Sequence, residues 1–228
     1  MDNNQQDIKV SIDAVVFGYH SADGLSLLLI KRKIDPYKGM WALPGGLIKN
    51  EESIEEAVQR ELEEETGIRV SFLEQLYTFG NVDRDPRNRV ISISYYALVK
   101  PDHLKLQATT DAEEASWFAI EKLPPLAFDH HKIFDVAITR LRNKVLYQPI
   151  GFDLLDEKFP FSELEKLYRA IFEKDFDRRN FRKKIMKLNI LEQLDEKQQM
   201  KVGRPGPIYR FDKKRYFELM ASGFEIRL

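Results

Sequence analysis

From Lys9 to Phe17 the chain alternates and then runs apolar through Ala14-Val15-Val16-Phe17, the pattern of a strand. His20-Ser21-Ala22-Asp23-Gly24 supplies turn chemistry, and Leu25 to Lys31 returns as the partner of that strand. Pro36 and Gly39 punctuate a loop that leads to Trp41. A helix begins after Ser53, which with Glu56 three residues on spells a capping box. Gly67 ends it, where a left-handed residue is expected.

Two further strands, Val70 to Phe79 and Val90 to Val99, flank a polar loop, and Ala115 to Ile120 makes a short one. After Pro124-Pro125 a helix from Asp129 to about Asn143 carries Ile133, Ala137, Leu141 and Val145 on its buried stripe. The order predicts a mixed sheet with inserted helix, an α/β sandwich.

From Phe152 the pattern changes. Ser162 and Glu165 read as a second capping box ahead of Leu164, Leu167, Tyr168 and Ile171. Asp177 caps a short helix that buries Phe181, Ile185 and Leu188 at i, i+4 and i+7. Strands near Leu191–Asp195 and Ile208–Phe211 enclose a Gly/Pro-rich tip, and a last helix covers Lys213 to Met220. Helix, turn, basic helix and winged hairpin is the order of a winged helix-turn-helix. Residues 1–148 and 149–228 are the expected domains, and the helix over 129–143 fits either.

Charge follows the same division. Residues 1–150 hold 18 Lys+Arg and 23 Asp+Glu (18 − 23 = −5), and residues 151–228 hold 18 and 14 (18 − 14 = +4), which together give the net −1. An acidic front and a basic back suggest separate partners. No cysteine is present, so disulfides, thiolate metal sites and thiol nucleophiles are excluded. Neither a signal peptide nor a membrane span is legible, which points to the cytoplasm.

The chemistry concentrates in Gly46 to Ile68. At 100° per residue Glu61, Glu64 and Glu65 share an arc of about 100° on one helix face. Carboxylates so close repel unless cations sit among them, and they adjoin the buried edge set by Val58 and Leu62. A divalent ion on hard oxygen ligands, Mg²⁺ or Mn²⁺, suits that set and suits cleavage of a diphosphate. A solvated acidic helix is the plain alternative, and the turn Leu43-Pro44-Gly45-Gly46 with Glu52 and Arg60 argues against it.

Gly46, Glu52, Arg60, Glu61, Leu62, Glu64, Glu65, Gly67 and Ile68 match the signature G-x5-E-x7-R-E-U-x-E-E-x-G-U, with U aliphatic, at every defined position. The segment thus resembles the Nudix hydrolase superfamily. The resemblance implies an α/β/α sandwich and cleavage of nucleoside diphosphates linked to another moiety. It also implies that Glu64 and Glu65 are the primary metal ligands, aided by the Gly45 carbonyl. Glu61 would be a ligand or the base, Glu52 an outer ligand and Arg60 the residue that orients the glutamates. A base outside the signature would be Glu113 or Glu114. Arg84, Arg87 and Arg89 lie in a loop that resembles one in ADP-ribose pyrophosphatases, suited to gripping phosphate or ribose oxygens. Asp83 and Asp85 could equally pair these arginines in a solvated loop. Trp41 and Tyr19 either stack on adenine or pack.

Six basic residues and no acid lie between Arg178 and Lys187. Arg179, Arg182 and Lys183 project opposite the buried stripe, as on a helix lying in a major groove. Asn180 would read a base edge or extend the cap, Arg178 sits at the positive helix terminus, and Lys187 continues the run. Lys201 and Arg204 flank the hairpin tip. A charged surface helix in an oligomerisation domain is the alternative.

Together the halves resemble Nudix-related transcriptional regulators of the NAD-metabolism and arabinose-responsive types. That resemblance implies a homodimer on double-stranded operator DNA and an ADP-ribose-like or sugar effector. Three functions follow: an effector-sensing regulator with or without hydrolysis of its ligand, a pyrophosphatase with a structural C-terminal domain, and a sugar-responsive repressor without catalysis.

Overall fold

A computed structural model describes residues 7–70, 72–101, 106, 112–146, 148, 150–197 and 206–221. The chain forms two compact units, Met1–Gly18 with Ser26–Thr139, and Tyr19–Leu25 with Arg140–Leu228.

The first unit is built on β1 (Lys9–His20), β2 (Gly24–Arg32), β3 (Trp41–Ala42), β4 (Gly45–Leu47), β5 (Glu74–Phe79), β6 (Val90–Val99) and β7 (Ala112–Ala119). The main path runs β3-β2-β1-β6-β5, with β4 added to β1 and β7 to β2. β1 and β6 are parallel, whereas β5–β6 and β2–β7 are antiparallel, so the sheet is mixed. β1 is buried without interruption from Ser11 to Tyr19. A strand loses polar alternation when both faces are covered. On one face α1 (Ile54–Thr66) packs Ala57, Val58 and Leu62 against Ile12, Ala14, Val16 and Tyr95. On the other, Phe17 meets Phe134 of α2 (His130–Lys144), with ring centroids 6.3 Å apart. This is the expected α/β/α sandwich. The strand read from Val70 starts later, at Glu74, and the one read from Ala115 starts earlier, at Ala112.

α1 is capped as its sequence dictates. Ser53 accepts from the Glu56 N–H, the Glu56 carboxylate accepts from the Ser53 N–H, and Gly67 closes the helix at φ 74°. α2 carries its expected stripe, and Ile133, Ala137 and Leu141 are fully buried.

The second unit contains β8 (Lys158–Pro160), α3 (Phe161–Phe172), α4 (Arg178–Leu188), β9 (Leu191–Lys197), β10 (Pro207–Phe211) and α5 (Lys213–Ala221). Its sheet is antiparallel in the order β8-β10-β9. Asp177 caps α4 by accepting from the Asn180 N–H, and Phe181, Ile185 and Leu188 are buried as read. The Ser162–Glu165 capping box does not form. β8, unanticipated, delivers Pro160 to the N-cap and Phe161 to the first turn. Glu165 is buried and receives two hydrogen bonds from Arg178, at 3.0 and 2.6 Å.

Candidate catalytic site and nucleic-acid interface

The glutamate helix is organised by Arg60. Its guanidinium donates to Glu52 at 2.8 and 2.6 Å, to Glu61 at 2.7 Å and to Glu64 at 3.2 Å, and it reaches the Leu47 carbonyl at 3.3 Å. Hydrogen bonds from Arg60, joined by the Lys49 N–H, pull the Glu52 carboxyl down to about 2. Glu61 moves the other way: burial raises its pKa, and Arg60 offsets only part of that. Glu65, also buried, turns to the strand and accepts from the Gly45 N–H at 2.8 Å.

The glycines of the turn are required by close approach. A Cβ on Gly46 would lie 2.3 Å from the Glu61 carboxylate, and one on Gly45 would lie 2.2 Å from the Ile12 carbonyl. Glu61 and Glu64 thus meet on Arg60 while Glu65 braces the turn. Among the described residues no group of three His, Cys, Asp or Glu side chains stands ready-made around an ion, so the joint trio expected from helix geometry is not assembled. The donor set nevertheless suits a hard cation: its ligands are oxygens, Glu61 is desolvated, and Gly46 leaves its carboxylate room. Glu114 lies on β7 opposite Lys31, exposed, while Glu113 pairs with the Lys31 ammonium at 3.7 Å.

A cleft of about 80 Å³ opens beside the turn, lined by Asp13, Arg32, Gly45, Gly46, Leu47, Arg84, Asp85, Arg87, Phe128 and His130 among others. Arg84, expected to grip phosphate, is instead buried. It donates to Asp13 at 3.0 Å and to Asp129 at 2.8 and 3.2 Å. A single apolar-to-acid step inside β1, Asp13, attracts this ring of partners. Ser92 donates to the same carboxylate at 2.5 Å, and the His130 Nε2 stands 3.4 Å from its other oxygen. The Leu43 N–H donates to the His130 Nδ1 at 2.9 Å, which leaves the ring hydrogen on Nε2 facing Asp13. Burial would raise the Asp13 pKa, but the His130 ring, the Arg84 guanidinium and the Ser92 hydroxyl hold it well below the usual range. Sequence reading missed Asp13, Ser92, Asp129 and His130; the one signal was an acid inside an apolar strand.

The other loop arginines divide. Arg87 lines the cleft and is held by Asp85 at 2.8 and 3.0 Å, whereas Arg89 donates to the Gly80 and Asn81 carbonyls and closes the loop. Trp41 packs edge-on against Phe118 with centroids 4.6 Å apart, and Tyr19 is buried. Neither lines the cleft, and the buried Tyr19 presents no ring face for adenine.

In the second unit α4 exposes Arg178, Arg179, Asn180, Arg182, Lys183, Lys184 and Lys187, of which Arg179 and Lys183 lie opposite its buried stripe. Arg182 departs from the expected role. It donates to the Tyr209 hydroxyl at 3.0 Å and lies 4.6 Å over the Phe161 ring, tying α4 to β10 and α3. Lys201 and Arg204 lie outside the described residues.

Comparison with known proteins finds matches to both halves of the chain. The NUDIX domain family matches residues 8–137, and the NrtR DNA-binding winged helix domain family matches residues 151–211. A relative in Acinetobacter baylyi, "ADPR responsive transcriptional repressor NtrR", is 32% identical over 213 residues, covering 91% of this chain and 83% of its own length. An "ADP-ribose pyrophosphatase" of Methanocaldococcus jannaschii is 50% identical over 107 residues, covering 47% of this chain and 62% of its own. The crystal structure of Shewanella oneidensis NrtR complexed with a 27mer DNA is similar with a TM-score of 0.77 and 30% identity, covering 95% of this chain and 97% of that one. The chain therefore belongs to the Nudix family, with its NUDIX domain continued by a winged helix domain of the NrtR type.

Proposed function

We propose that this protein is a transcriptional regulator that binds operator DNA as a homodimer through α4 and the β9–β10 hairpin, and that its Nudix domain senses an ADP-ribose-like nucleoside diphosphate. The observation that carries the reading is the exposed face of α4, where Arg179, Lys183 and Lys187 stand away from a buried apolar stripe that exposed Lys184 flanks. That side supplies phosphate contacts and reach to base edges. One relative's response to ADPR and another's binding of a 27mer DNA support it.

A second reading, hydrolysis of the ligand, is favoured by the complete Arg60–glutamate network. A bound Mg²⁺ or Mn²⁺ would neutralise diphosphate oxygens and lower the pKa of a water. Glu61 and Glu64 would hold it, with Glu65 fixing the turn through the Gly45 N–H and Glu52 holding Arg60 in place. Water would add to one phosphorus as the bridging P–O bond breaks, releasing two monophosphates.

The test is a gel shift on upstream DNA with Mg²⁺, with and without ADP-ribose, while the nucleotide is followed for cleavage. DNA binding that falls with salt and responds to ADP-ribose is expected. No salt-sensitive duplex binding, with turnover intact, would leave a pyrophosphatase. A shift produced by free arabinose alone would leave a sugar-responsive repressor.

A further inference from the structure

A cavity of about 360 Å³ lies within the second unit, at the turn between α3 and α4. Leu146, Tyr168, Phe172, Phe176 and Phe181 form its walls. The rings hold one another. Centroids stand 4.9 Å apart for Tyr168 and Phe181, 4.7 Å for Phe176 and Phe181, and 6.2 Å for Tyr168 and Phe172. The Tyr168 hydroxyl donates to the Val145 carbonyl at 3.2 Å, which fixes that ring. A volume above the roughly 300 Å³ at which small-molecule sites begin, walled by aromatic rings with few polar groups, is the make-up of a ligand pocket.

Charge around this cavity is one-sided once its pairs are removed. Three acids lie on the turn, and each is engaged. Glu173 accepts from Arg142, Asp175 stands 3.5 Å from the Arg169 Nε, and Asp177 accepts from the Asn180 N–H as the cap of α4. Lys174 and Lys184, both exposed, line the same cavity and have no ion-pair partner among the described residues. The Asn180 carboxamide joins them on the lining. Apolar ring faces are thus combined with two unneutralised ammonium groups and an amide.

We propose that this cavity binds a small aromatic carboxylate, one or two rings seated among Phe172, Phe176 and Phe181 with the acid group against Lys174 and Lys184. Ring faces favour an aromatic body, and the paired ammoniums select an anion over a neutral or cationic analogue. Asn180 and Lys184 stand one turn apart on α4, so an occupant engages the helix read above as the DNA contact. That coupling, unlike the site, rests on the DNA-binding reading.

Calorimetry on the full chain tests the site with 2-naphthoate, against the uncharged 2-naphthamide. Saturable one-site binding of naphthoate tighter than about 1 mM is expected, with the amide at least about tenfold weaker. Lys174→Gln with Lys184→Gln should weaken naphthoate at least about fivefold and leave melting unchanged, because both side chains are exposed. Naphthoate that does not saturate by about 5 mM, an amide that binds as well, or unchanged affinity in the double variant would overturn the site. In a gel shift on upstream DNA, saturating naphthoate should weaken duplex binding of the wild type at least about threefold, and not that of the double variant. Naphthoate binding without that effect would keep the site and remove its coupling to DNA. Naphthoate binding by a chain that binds no duplex at all would keep the site and remove the DNA reading.

Discussion

Glu61 is the residue where function and stability pull apart. Its burial disfavours the ionised form, and Arg60 compensates only in part. For an acid whose pKa is raised in the folded state, stability is full below the ordinary carboxylate range and declines as pH rises through it toward the raised value. Glu61→Gln removes that decline. In the absence of metal the variant is expected to melt above the wild type at pH 7, with the difference closing below about pH 4. A lower melting temperature at pH 7 would show that pairing with Arg60 outweighs desolvation. Arg84 tells the opposite story: its removal takes the shared guanidinium from Asp13 and Asp129 and leaves Asp13 with Ser92 and the His130 ring. Arg84→Met should cost about 3–5 kcal/mol of unfolding free energy in urea titrations, because it leaves buried charge uncompensated. A cost under about 1 kcal/mol would mean that the cluster is not holding the turn and α2 together.

Helix α4 shows why an element's exposed charges are not interchangeable. Arg179 and Lys183 face away from the core, whereas Arg182 is engaged with Tyr209 and Phe161. Replacing Arg179 and Lys183 by alanine should weaken duplex binding and reduce its salt slope by up to about 2, one for each phosphate no longer neutralised, with melting unchanged. Arg182→Ala should lower the melting temperature, by removing a hydrogen bond and a cation–π interaction of roughly 1 kcal/mol each. A stable Arg182→Ala protein deficient only in DNA affinity would reverse those roles. At α3 the sequence offered the right residues for a capping box, yet the structure used them otherwise. β8 carries the chain straight into Pro160, Phe161 is buried at once, and Glu165 is drawn to Arg178. Local propensity yielded there to strand pairing and burial.

For the whole molecule, the decisive question is whether ligand response and ligand turnover are separable. Glu64→Gln with Glu65→Gln should abolish metal-dependent hydrolysis while the fold survives, since a glutamine oxygen can still accept from the Gly45 N–H. Unchanged circular dichroism and near-unchanged melting with no release of monophosphate are expected, and retained turnover would remove the glutamates from the mechanism. No helix among the described residues is long and apolar enough to cross a membrane. Helix α2 is divided between the compact units, Thr139 ending one and Arg140 opening the other, although its stripe reads as continuous in sequence.

Much of this protein was determined by the chain alone. The capping box at Ser53, the stop at Gly67, the stripes of α2 and α4 and the spaced glutamates all depend on contacts within a few residues, so periodicity and side-chain chemistry suffice to read them. Tertiary structure decided what long-range partners each charge would find. Arg84 went to Asp13 and Asp129, across 71 and 45 positions, rather than to a ligand. Arg182 went to Tyr209, and Arg32 was brought over Phe128. A charge's role is set by whichever opposite charge, ring or solvent folding places beside it, and a single sequence does not contain that distance.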